Sequence, residues 1–223
     1  AIALIDIVDY TKLMNHDEKK AIDLLHYKNK IIIPFINKYK GILIKRVGGG
    51  TLCVFPDSAK AVCFSLEILQ IWKEISPTKL KVGIHLDNVV FEQGDILGKG
   101  VNYTFKINAL AKSGGICLSK VISDEIKDRP DIRITSMGDN IIDGFTETHE
   151  LFYVNIPEKF VPMENDINVP LNSGISEKAN YSSMVGWAGG ILVIIFLLVN
   201  KFLVLKIGFL VTLLPIYYYY YHK

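Results

Sequence analysis

Residues 41–55, Gly-Ile-Leu-Ile-Lys-Arg-Val-Gly-Gly-Gly-Thr-Leu-Cys-Val-Phe, constrain the fold of this chain more than any other stretch. Two apolar, β-branched runs, 42–47 and 51–55, are joined by three consecutive glycines, which is the pattern of a β-hairpin. A glycine-rich turn after a strand also opens phosphate loops, but those need a helix next. Thr51 to Phe55 is too short and too β-prone to provide one. The glycines leave room for a close neighbour at the tip, and Lys45 stands just before it.

The rest of the chain falls into three parts. Residues 1–156 alternate apolar runs and turn signals as a single globular domain does. Residues 157–184 are polar and rich in Pro, Asn, Ser and Glu, and read as a linker. Residues 185–221 are almost wholly apolar, broken only by Asn200, Lys201 and Lys206. That length exceeds the ~20 residues that cross a bilayer, so it predicts a membrane segment of one span or two short ones turning near Asn200 and Lys201. Tyr217 to Tyr221 would lie at one interface. A formal charge of +2 gives no strong pull toward nucleic acid. The three cysteines, Cys53, Cys63 and Cys117, have no metal-ligand spacing and read as buried reduced thiols. Ala1 already lies inside an apolar run, which leads us to expect residues upstream.

Within the domain, residues 2–8 predict a buried strand holding one acid, Asp6. A helix to about Lys40 follows, capped by Thr11 or Asn15 and kinked or divided at Pro34. After the hairpin, Asp57 or Ser58 caps a second helix to about Ile75. Residues 80–86 and 89–93 read as two strands turning at Asp87-Asn88, and 95–100 as a loop. A short helix covers 101–112 and ends at Ser113-Gly-Gly; it buries Val101, Phe105 and Leu110. A strand at 116–119, a helix at 121–127 and strands at 132–136 and 151–154 complete an α+β, ferredoxin-like or palm-type, antiparallel-rich sheet with helices packed on one side.

Four features could carry chemistry. Asp6 is a lone carboxylate in an apolar strand and needs a cation, a metal or backbone donors, unless it only caps a turn. Lys45 reads as an edge lysine unless it meets a ligand. Asp95 opens a Gly-rich loop and is equally a turn former. Asn102 and Lys106, four apart, share one face of the short helix and could hold a polyphosphate or simply face water.

Several blocks together resemble the class III nucleotidyl cyclases, the adenylate and guanylate cyclase catalytic domain. They are Asp6-Ile-Val-Asp-Tyr-Thr11, Lys45-Arg-Val-Gly-Gly-Gly50, Val82-Gly-Ile-His-Leu86, Gly94-Asp-Ile-Leu-Gly-Lys-Gly-Val-Asn102, Gly114-Gly-Ile-Cys-Leu-Ser119 and Met137-Gly-Asp-Asn-Ile-Ile-Asp-Gly144. The resemblance implies a phosphorus–oxygen lyase that turns ATP into cyclic AMP and pyrophosphate at the interface of a homodimer, or of a heterodimer with another cyclase domain. It implies Mg²⁺ or Mn²⁺, with Asp6 and the backbone carbonyl of Ile7 as ligands on one protomer. From the other protomer, Lys45 and Asp95 would read adenine, Asn102 would orient the ribose and Lys106 would meet charge at the phosphorus. A donor–acceptor pair of that kind suits an adenine edge, so ATP is expected over GTP. With the membrane segment at 185–221, the catalytic domain is expected in the cytoplasm.

Two positions depart from the family's pattern. Gly49 stands where the second metal carboxylate is expected, and bridging two ions through Asp6 alone is a poor fit. Lys106 stands where the family has an arginine whose planar fork matches phosphate oxygens. Losing one such electrostatic contact costs about 10²–10³ in rate. Asp9, where the family has glycine, is a conceivable replacement ligand. The alternative expectation is therefore a catalytically degenerate domain that binds nucleotide or dimerises with a competent cyclase.

Overall fold

The computed structural model describes residues 1–163 and 166–167. The polar linker and the apolar segment at 185–221 lie outside these residues, apart from the linker's first part. Among the described residues no helix is long and apolar enough to cross a membrane.

Strand β1 (Ile2–Ile7) lies inside a seven-stranded sheet. It pairs antiparallel with β3 (Gly50–Val54) on one side and β4 (Leu80–His85) on the other. Strand β2 (Ile42–Val47) completes the expected hairpin at the sheet edge, with Val47 opposite Gly50. Beyond β4 come β7 (Ile116–Ser119), β9 (Thr148–Asn155) and β8 (Arg133–Ile141), giving the order β2-β3-β1-β4-β7-β9-β8. Among the described strands of this sheet, only β4 and β7 pair parallel. The sheet is thus antiparallel-rich, as the sequence predicts.

Period-two alternation along β1 assigns its two faces. Ala3, Ile5 and Ile7 enter the large core with α2 (Glu18–Lys38), α3 (Ser58–Ile75) and α5 (Lys120–Ile126). Ile2 and Leu4 face the other way, onto Leu52, Ile96 and Val101. There α4 (Lys99–Leu110) covers the sheet, so helices occupy both faces rather than one. The buried side of α4 is Val101, Tyr103, Thr104, Ile107 and Asn108, whereas Leu110 is exposed.

Other boundaries also differ from expectation. The first helical region divides at Asp17, not at Pro34. The Asp17 side chain accepts the Lys20 amide at 2.9 Å and starts α2, ending α1 (Tyr10–His16). Helix α2 continues through Pro34 because Ile32 and Ile36, on either side of it, are buried in the core. Strand β5 (Val90–Glu92) does not pair with β4. It forms a separate ribbon with β6 (Asp95–Leu97) through a turn at Gln93-Gly94, both at positive φ. Asp95 is therefore the first residue of a strand, not of a loop. Strand β8 runs on past Ser136 through an irregularity before Asp139. Helix α3 begins as expected, its N-cap Asp57 accepting the Lys60 amide at 2.8 Å. All three cysteines are free and buried.

Candidate active site

Two groups of side chains form on the β1–β3–β2 side of the sheet. In the first, Lys45 on β2 and Asp95 on β6 meet at 2.6 Å across 50 residues of sequence. The ribbon is held there by apolar packing: Ile96, beside Asp95, is buried with Ile2, Leu4, Leu52 and Val101. The other Asp95 oxygen accepts the Ile96 amide at 2.7 Å. Lys45 and this amide together lower the Asp95 carboxyl below the usual range. Both side chains remain more than a third exposed, so the pair is open to a ligand. Along α4, Asn102 is exposed, and Lys106 is half-buried and ion-paired with Asp143. Phe105, between them, packs against the same apolar cluster that seats Asp95. The sequence reading of a shared face for Asn102 and Lys106 agrees with the helix.

In the second group, Asp6 near the end of β1 faces the glycine tip. A Cβ at Gly49 would stand 3.0 Å from Asp6 Oδ1, so position 49 is indeed beside the acid. It would also stand 2.7 Å from Cβ and from Cγ of Tyr10. The space for a side chain at 49 is taken by Tyr10. Ile7 is buried and closes β1 opposite Leu80. Burial raises the Asp6 carboxyl, and Lys81, Lys28 and the Ile7 amide oppose that shift. Asp9 is not a substitute for the missing acid: it starts α1 at positive φ, and its exposed carboxylate pairs with Lys12 at 2.7 Å.

The residues present do not fit a two-ion site. Among the described residues Asp6 is the one carboxylate beside position 49, and a divalent ion of the Mg²⁺ type wants one or two together with phosphate oxygens. Beneath the tip, the ammonium of Lys28 donates to the Gly49 carbonyl. Among the described residues no hydrogen bond or ion pair joins the Asp6 group to the Lys45–Asp95 group.

Sequence reasoning missed three residues that shape this region. Lys28 lies in line with Ala21, Ile32 and Ile36 on the buried stripe of α2, a spacing that could have marked it. Asn108 is buried and gives its amide to the carbonyls of Leu4 at 2.8 Å and Lys81 at 3.3 Å, tying α4 to β1 and β4. Tyr10 had no visible signal. Apart from these, a pocket of about 590 Å³ opens between the ends of β4 and β7, lined by His85, Tyr103, Ser119 and His149 among others.

Comparison with known proteins agrees with this architecture. The family described as "Adenylate and Guanylate cyclase catalytic domain" matches residues 1–155. A curated relative, "Putative adenylate cyclase 3" from Rhizobium meliloti (strain 1021), is 32% identical over 146 residues, covering 62% of this chain and 25% of that protein. This chain thus spans about a quarter of the relative's length. Among solved structures, an adenylate/guanylate cyclase/hydrolase from Silicibacter pomeroyi matches with TM-score 0.59 at 25% identity, over 71% of this chain and 97% of that one. The adenylyl cyclase CyaB from P. aeruginosa shares the fold with TM-score 0.60 at 20% identity, over 75% and 95% of the two chains.

Proposed function

The chain belongs to the adenylate and guanylate cyclase catalytic domain family, and from that premise we propose that it supplies the base-reading half of an adenylate cyclase site formed between two cyclase domains. Its substrate is ATP and the products are cyclic AMP and pyrophosphate. The single observation that carries this reading is the Lys45–Asp95 pair, assembled from two distant strands and left open on its outer side. On ATP, Lys45 donates to an adenine ring nitrogen and Asp95 accepts from the exocyclic amino group, which a guanine edge does not match. Asn102 orients the ribose so that its 3′-hydroxyl faces the α-phosphorus, and Lys106 leaves Asp143 to meet charge developing there. Pyrophosphate is the leaving group. Residues 185–221 anchor the domain to a membrane with the nucleotide site in the cytoplasm, a reading that rests on their apolar sequence.

Gly49 and its Tyr10 neighbour make the Asp6 face the weak half. Turnover then depends on a partner domain that brings its own pair of metal-holding acids. A second reading, a homodimer that turns ATP over slowly, is favoured by the retained Asp6 at its expected place beside position 49. The test is a cyclic-nucleotide assay of the full chain with ATP and with GTP, each with Mg²⁺ and Mn²⁺. It is run alone and mixed with a cyclase domain that lacks its own base-reading lysine. Rescue of that partner's cyclic AMP synthesis is the expected result. Neither rescue nor turnover alone, with ATP bound no better than GTP, would sink the proposal.

A further inference from the structure

Lys28 has no solvent access, and its ammonium donates to the carbonyl of Gly49. A fully buried lysine is rare unless it is paired, because desolvating an ammonium is costly. Among the described residues no carboxylate lies within ion-pair distance of it. The acid whose field reaches it is Asp6, and Asp6 in turn feels Lys28 together with Lys81, its cross-strand neighbour on β4. The Gly49 peptide therefore lies between an acid on one side and a buried cation on the other: its Cβ position is 3.0 Å from Asp6 Oδ1, and its carbonyl holds Lys28.

We propose that Lys28 is a tethered counter-ion for Asp6, standing in place of a divalent cation, so that this face of the domain does not collect two metal ions. This rests on the reading that Asp6 faces the nucleotide cleft, and it explains why the acid persists there when its companion is gone. Two acids facing the site would present a charge of −2. One acid with a buried ammonium behind the tip presents a charge near zero. Affinity for a hard divalent cation follows the count of ligand charges, so the exchange removes most of the attraction. The ammonium is buried and its carbonyl partner fixes it at the turn, so the neutralisation does not depend on ion concentration.

Mn²⁺ uptake by the full chain in detergent, followed by the electron paramagnetic resonance of the free ion without nucleotide, tests this directly. The wild-type chain is expected to bind at most one Mn²⁺, weakly. Lys28→Met is expected to tighten that binding about tenfold, a change of about 1.4 kcal/mol. Adding Asp6→Asn to it should abolish the gain, and Lys28→Arg, which keeps the charge, should behave as wild type. Binding of two Mn²⁺ per wild-type chain overturns the proposal whether or not any variant folds. So does a Lys28→Met chain with native circular dichroism and an Mn²⁺ affinity within twofold of wild type, or a gain that survives Asp6→Asn. Failure of ATP recognition alone would leave the Mn²⁺ result standing, so the two readings fail separately.

Discussion

The backbone of Asn108 fills the space that a side chain at Gly83 would need: a Cβ there would lie 2.6 Å from the Asn108 amide nitrogen and 2.7 Å from its Cα. Helix α4 can settle this close to β4 only over a glycine. The Asn108 side chain then reaches the carbonyls of Leu4 and Lys81. This contact sets the height of Asn102 and Lys106 above the sheet.

Gly83→Ala is therefore expected to destabilise the domain by about 1–3 kcal/mol, the usual cost of overpacking against backbone. It should also weaken ATP binding through displacement of α4. Thermal unfolding together with a nucleotide titration checks both. An unchanged melting temperature would show that α4 is free to shift.

If Lys45 and Asp95 read the base as proposed, removing either is expected to weaken ATP binding about tenfold or more, since a hydrogen bond involving a charged group contributes about 1.5–3 kcal/mol. Lys45→Ala and Asp95→Ala should affect ATP more than GTP, and neither should lower stability appreciably, because the ion pair is exposed. Titration with fluorescent analogues of both nucleotides measures the difference. Equal losses for the two bases would argue against adenine reading.

Gly49→Asp on its own should not create a working two-ion site. Its Cβ would press on the Cβ and ring carbon of Tyr10, a residue of the buried core. The expected result is a loss of about 1–3 kcal/mol in stability and no rise in cyclic AMP. A variant that melts like wild type and gains turnover would contradict this.

Burial lowers the pKa of His85 to about 4, while its Nδ1 lies 2.9 Å from Ser119 Oγ and its ring packs on Tyr103. The unfolded chain takes up a proton near pH 6.5, before the folded chain does. The neutral ring thus contributes stability fully above pH 6.5, and that contribution is lost as pH falls toward 4. The partly solvated ring limits the loss to on the order of 1–2 kcal/mol. His85→Gln should flatten the fall in melting temperature between pH 6.5 and 4. A parallel fall in wild type and variant would assign the pH dependence elsewhere.

Much of the fold was legible because it is local. The hairpin around residues 48–50, the buried strand at Ile2–Ile7, the Asp57 cap and α3 follow from apolar period, turn residues and capping within a few positions. Of the candidate site residues, the structure joins Lys45 to Asp95 and sets position 49 beside Asp6. Two readings, at Pro34 and at α4, failed where the deciding contact was distant, and a third failed because a nearby turn went unread. Strand β5 took β6 as its partner because the Gln93-Gly94 turn was nearer than any route back to β4. Pro34 was overruled by the burial of Ile32 and Ile36. Helix α4 crossed to the opposite face because Gly83 opens a seat for it there.

The amino-acid order alone determined most of the strands and helices and which acids and bases are candidates, and its resemblance to the cyclase family marked position 49 as one where a carboxylate is expected. Only the tertiary structure decided that Tyr10 occupies the vacated space and that Lys28 brings a buried charge beneath it. A sequence pattern reports which side of an element is apolar, but the field at a carboxylate depends on what other elements bring within a few ångströms of it, and that is set by packing.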